Sequence, residues 1–98
     1  MYFAVFNTDK PGALPTREAT RPAHRVHLRE HKHKVKVHHA GPTLGEDGRM
    51  NGTLLIVEAD DIDEVRAFVA DDPYSKAGIF EKVEIRAWNW TTGVPDGR

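Results

Sequence analysis

With 98 residues and no cysteine, the chain has room for one domain with a modest core, and it excludes a disulfide framework, a thiolate nucleophile and thiolate-held zinc or iron–sulfur sites. Hydrophobic residues make up 39% and charged residues 30%, an ordinary globular balance that argues against wholesale disorder. The net charge of −1 hides a split: residues 1–39 carry 8 Lys/Arg against 3 Asp/Glu, residues 40–98 carry 6 against 12, and all six histidines lie between His24 and His39. Opposite halves of one small domain neutralise each other on folding or across a subunit contact, and the basic half lacks the interleaved aromatics of a base-stacking surface, so nucleic acid is not expected as a partner. The start has no basic leader and no apolar run approaches membrane-spanning length, which predicts a cytoplasmic protein without a membrane partner.

Tyr2–Phe6 is aromatic and β-branched with apolar residues at both parities, a strand buried on both faces that ends at Asp9-Lys10-Pro11-Gly12. Thr20-Arg21-Pro22 supplies an N-cap and a first-turn proline for a helix from about Arg21 to His33, with a thin apolar stripe of Ala23, Val26 and Leu28. Val35–His39 alternates as a half-buried strand closed by Gly41-Pro42, and Gly45–Gly52 is rich in turn residues. Thr53–Ala59 is the clearest strand. Asp61 and Glu64 form a capping box ahead of Ile62, Val65, Phe68 and Val69, a helix stopped by Asp72-Pro73. Lys82–Trp88 alternates as a last strand, and Thr91–Arg98 reads as a flexible tail after a domain of residues 1–90. The order predicts an α+β, ferredoxin-like βαββαβ fold, an antiparallel sheet with both helices on one face. The doubly apolar strands Tyr2–Phe6 and Leu54–Val57 predict that a second copy covers the other face, giving a homodimer.

No phosphate-binding glycine loop, dinucleotide fingerprint or serine-nucleophile elbow is present, and no cofactor is expected. His24, His27 and His31 fall at i, i+3, i+7, and His27/His31 match the i, i+4 separation of a metal clamp, to which His33, His38 or His39 would add ligands. Against this stand the ordinary role of histidines near a helix C-terminus and the absence of a zinc-protease motif, so no metal is expected. For acid–base chemistry the useful pair is a histidine of the first helix and a carboxylate at the end of the second, either Asp71 or Asp72, since a carboxylate fixes the imidazole tautomer and raises its basicity. An Asp before Pro also organises its own turn, which is the structural alternative for Asp72.

Arg21-Pro22-Ala23-His24, Leu28, Ala40-Gly41-Pro42, Gly52-Thr53, Glu58-Ala59 and the run Asp72-Pro73-Tyr74-Ser75-Lys76-Ala77-Gly78-Ile79-Phe80 resemble the YciI-like (YCII-related) family, in order, from the first strand to about Trp88. The resemblance implies a ferredoxin-like fold assembled as a dimeric α/β barrel and a His–Asp pair, His24 and Asp72 by position, as the active site. One branch of the family is similar to a dehydrochlorinase of hydroxylated rings. The chain departs from the family pattern at Arg25, Glu30 and His31, where leucines are usual, and near Val35, where a glycine is usual. Either the pocket is more cationic and suits an anionic substrate, or the helix is more solvated. The expectation is lyase, isomerase or dehydrochlorinase chemistry on a small oxygenated metabolite. His24 would move the proton and Asp72 would orient it, Thr53 and Tyr74 would hydrogen-bond a substrate oxygen, and Arg21 would hold a carboxylate. A non-catalytic ligand-binding or accessory protein is the alternative, and a His-rich metal-binding protein the third reading.

Overall fold

The computed structural model describes residues 1–30 and 32–94. Strands β1 (Tyr2–Asp9), β2 (Lys36–Leu44), β3 (Met50–Glu58) and β4 (Phe80–Trp88) form one antiparallel sheet in the order β2-β3-β1-β4. Helices α1 (Leu14–Arg29) and α2 (Ile62–Ala70) and the single turn α3 (Pro73–Lys76) complete the chain. This is the predicted α+β, ferredoxin-like arrangement. The central strand β1 shows why the helices share a face: Phe3 and Val5 are buried, and their cross-strand neighbours Val57, Leu55 and Ile85 extend the same apolar surface. Val65, Phe68 and Val69 of α2 and Leu28 of α1 pack onto it.

The opposite sheet face carries Tyr2, Ala4, Leu54 and Ile56, all half-buried, with Phe6 40% and Trp88 39% exposed. Strand β1 is therefore buried on one face only within a single chain, where the sequence predicts both. Trp90 closes one end of this face against Tyr2, His38, His39 and Trp88, and its indole N–H donates to the Thr92 carbonyl. A register shift between Val37 and His39 sets two β2 residues against one of β3, which is how consecutive histidines both reach Trp90.

Several boundaries differ from expectation, among them the starts of β3, at Met50 rather than Thr53, and of β4, at Phe80 rather than Lys82. Helix α1 starts at Leu14, not Arg21: Gly12, at φ +78°, turns the chain out of β1, Pro15 sits in the first turn, and Pro22 lies inside the helix on its exposed side. The helix ends at Arg29, so His33 lies beyond it; His31, and with it the i, i+4 pair with His27, is outside the described residues. Strand β2 runs through Gly41-Pro42 to Leu44, because it is an edge strand, where a missing N–H breaks no interior ladder. Strand β1 continues to Asp9, which brings two polar residues, Asn7 and Asp9, onto the helix-facing side.

The second helix is as predicted. Asp61, in extended conformation, accepts from the Glu64 N–H at 3.0 Å, and Asp63 and Glu64 complement the dipole in the first turn. Asp72 then caps α3, accepting the Tyr74 N–H at 2.9 Å. Of the expected C-terminal tail, residues 95–98 lie outside the described residues. No helix among the described residues is long and apolar enough to cross a membrane.

Candidate active site

Helix α1 places Arg17, Arg21, His24, Arg25 and Leu28 on one face, spaced i, i+4, i+7, i+8 and i+11, and all five line a cleft of about 340 Å³. Thr53 of β3 and Tyr74 of α3 complete its polar wall, and Pro42 and Met50 contribute apolar surface. At position 52, before Thr53, a side chain would collide with the Asn7 carbonyl and with Thr43 Oγ1, so glycine is required where β3 passes between its neighbours.

His24 is 7% and Asp72 1% exposed. The Nδ1–H of His24 donates to the Asp72 carboxylate, with both oxygens at 2.9 Å. Asp72 thus serves the turn and the histidine at once, and the two readings of this residue are not exclusive. With Nδ1 so engaged, Nε2 is the ring nitrogen left for the cleft that His24 lines. The imidazole stacks on Tyr74, centroids 4.0 Å apart and planes 17° apart.

Beneath lies a second buried pair that the sequence reading did not find. Arg17, 2% exposed, donates from Nε to Asp9 Oδ2 at 2.7 Å and from Nη2 to Oδ1 at 3.2 Å, and it also donates to Thr53 Oγ1. Its guanidinium carbon lies 4.5 Å from the Tyr74 ring centroid. A planar fork suits both a bidentate carboxylate and an aromatic face. Asp9–Arg17–Tyr74–His24–Asp72 is therefore one contiguous assembly that fixes the imidazole plane. The clue was available: Arg17 stands four residues before Arg21 and seven before His24, but that spacing has meaning only if the helix already exists at Arg17. Asn7, opposite Thr53 on the ladder and 2% exposed, has neither side-chain polar atom hydrogen-bonded.

Of the predicted site residues, Arg21, His24, Thr53 and Tyr74 share the cleft and Asp72 lies behind His24. Arg21 reaches the Met50 sulfur at 2.8 Å. The other described histidines go elsewhere. His27 donates from Nε2 to the Phe68 carbonyl at 2.8 Å, His33 to Asp71 at 3.1 Å and His38 to Glu58 at 2.9 Å. Among the described residues no three His, Asp or Glu side chains converge as a metal site needs.

Two of these carboxylates carry a pH signature. Hydrogen bonds from Lys76 first and His33 second hold Asp71 well below the usual carboxylate range, and the hydrogen bond from His38 lowers Glu58 against the opposing effect of burial. A folded-state pKa below the unfolded one gives stability that is present above the unfolded value and lost as pH falls through the folded one. Urea midpoints are therefore expected to fall as pH drops below about 4, and to fall less steeply in Asp71→Asn; an unchanged slope in that variant would remove Asp71 from the acid response.

Comparison with known proteins agrees with this architecture. The family model described as the YCII-related domain matches residues 1–89. Protein YciI of Escherichia coli O6:H1 is 27% identical over 92 residues, covering 88% of this chain and 94% of its own length. An uncharacterized protein of Haemophilus influenzae is 26% identical over the same span. Among solved structures, the 5-chloro-2-hydroxyhydroquinone dehydrochlorinase TftG of Burkholderia phenoliruptrix AC1100, in complex with 2,5-dihydroxybenzoquinone, superposes with a TM-score of 0.80 at 38% identity, covering 91% of this chain and 94% of that one. An uncharacterized NIPSNAP domain protein of Burkholderia xenovorans, 13% identical with a TM-score of 0.57 over 98% of this chain and all of that one, shares the fold alone.

Proposed function

The chain belongs to the YCII-related family, and on that footing we propose that it is an enzyme performing acid–base chemistry of the lyase, isomerase or dehydrochlorinase type on a small oxygenated ring compound. The observation that carries this reading is the buried His24–Asp72 pair at 2.9 Å, with Nε2 left for a cleft of about 340 Å³, large enough for a small ring compound. Asp72 holds the ring as the Nδ1–H tautomer, so Nε2 has the lone pair that accepts a substrate proton, and the carboxylate stabilises the imidazolium that forms. The electron pair of the broken C–H or O–H bond moves into the ring. It then expels a leaving group as its anion, as a dehydrochlorinase such as TftG expels chloride, or it is reprotonated at another carbon by the same imidazolium. Thr53 and Tyr74 orient a substrate oxygen.

A homodimer through the open sheet face belongs to this reading. Phe6 and Trp88 are large exposed apolar side chains flanked by half-buried Tyr2, Ala4, Leu54 and Ile56, a contiguous patch of the kind that marks an interface.

The test is a panel of hydroxylated single-ring compounds, chlorinated and unchlorinated, incubated with the full chain in deuterium oxide and followed by proton NMR. Loss of HCl or carbon-bound hydrogen exchange above the buffer rate is the expected result. Ring compounds that bind without either change would establish a binding protein instead.

A further inference from the structure

The charges lining the cleft do not balance. Arg17, Arg21, His24 and Arg25 line it, and among the described residues no carboxylate does. Arg17 is neutralised by Asp9, which grips it through two hydrogen bonds, and Asp72 is committed to His24. Arg21 and Arg25 have no acidic partner among the described residues: Arg21, half-buried, meets only the Met50 sulfur, an acceptor too weak to satisfy a guanidinium. Their spacing is i, i+4, so both forks project from the helix face that carries His24, three residues from one and adjacent to the other.

We infer that the substrate is a ring acid: a hydroxylated single-ring compound bearing a carboxylate, held by Arg21 and Arg25 at the α1 side of the cleft while the ring presents its reacting position to His24 Nε2. A guanidinium fork matches a carboxylate in two parallel hydrogen bonds, which gives orientation as well as attraction. Two guanidiniums without an acidic partner among the described residues, beside one imidazole, accommodate a carboxylate and an ionised ring hydroxyl together in a cleft of about 340 Å³. Arg25, where the chain departs from the family pattern, lines the cleft and is exposed, so its guanidinium is open to an incoming carboxylate.

The inference rests on the acid–base reading of the site, and its test separates the two. Isothermal titration of the full chain with 2,5-dihydroxybenzoate and with hydroquinone compares the same two hydroxyls on one ring, with and without a carboxylate. The wild-type chain is expected to bind the benzoate at least 10-fold more tightly at low salt. Arg25→Gln and Arg21→Gln should each lose at least 5-fold more affinity for the benzoate than for hydroquinone, while Arg66→Gln, which removes an equal charge from exposed α2, should keep the ratio. Equal affinities for the two compounds, or a ratio that falls as much in Arg66→Gln as in Arg25→Gln, would overturn the ring-acid assignment even if turnover is found. A retained carboxylate preference in a chain that catalyses nothing would uphold the clamp and overturn the enzymatic reading alone.

Discussion

His24→Asn is expected to lower kcat by about 10²–10⁴-fold, the range for removing a positioned acid–base group, while the chain stays folded and substrate still binds. Asparagine is the informative replacement because its amide N–H takes the place of Nδ1–H toward Asp72. The buried carboxylate then keeps a donor, and the Tyr74 N–H remains a second one. His24→Ala removes the first donor and opens space under Tyr74, and leaving a buried polar group short of a partner costs about 1–3 kcal/mol, so a loss of activity in that variant mixes chemistry with stability. A His24→Asn protein with wild-type turnover on the ring compounds would remove the imidazole from the mechanism. Asp72→Asn should follow in kcat, because an amide no longer holds the Nδ1–H tautomer.

The largest stability effect falls on a residue that touches no proton in the proposed reaction. Arg17→Met is expected to cost about 3–5 kcal/mol, the range for removing one member of a buried ion pair. Asp9, with 4% of its side chain exposed, would be left as an uncompensated buried charge. At roughly 4–8 °C per kcal/mol for a domain of this size, the melting temperature falls by tens of degrees, against a total stability of only about 5–15 kcal/mol. The double variant Arg17→Met/Asp9→Leu should recover most of the loss, since apolar replacement of both partners is often neutral or better. Urea unfolding of the three proteins reads this directly. Equal stabilities for wild type and Arg17→Met would mean that the pair is solvated rather than buried. In the double variant the Tyr74 ring loses its cationic neighbour, so activity is expected to stay depressed after stability returns.

Particular residues show why the sequence was legible in some places and opaque in others. Asp61 and Glu64 specify a helix start through a contact three residues apart, and the structure has that contact. The succession of strands and helices along the chain followed from periodicity and turn chemistry, both local. The α1 boundary did not, because Thr20-Arg21-Pro22 has the chemistry of a start while the helix already exists there, anchored by tertiary contacts of Arg17 with Asp9 and Thr53. Missing those seven residues hid Arg17. His24 and Asp72 are 48 residues apart, and spacing alone left Asp71 as an equal candidate; the motif resemblance chose between them, and the structure pairs Asp72 with His24 and Asp71 with His33 and Lys76. Pro42 suggested a strand end because sequence does not announce that β2 is an edge. The histidine cluster that invited a metal reading is dispersed by the fold among a carbonyl and three different carboxylates.

Everything proposed for the site requires that Asp72 hold His24 with its proton on Nδ1 and its lone pair at Nε2 toward the cleft. Long-range proton–nitrogen correlation of ¹⁵N-labelled protein reads each imidazole nitrogen separately. Neutral His24 is expected to show a protonated Nδ1 and a bare Nε2, Asp72→Asn to abolish this preference, and 2,5-dihydroxybenzoate to shift Nε2 more than Nδ1. A His24 ring protonated at Nε2, or one whose Nε2 resonance ignores the bound ring compound, would contradict this arrangement.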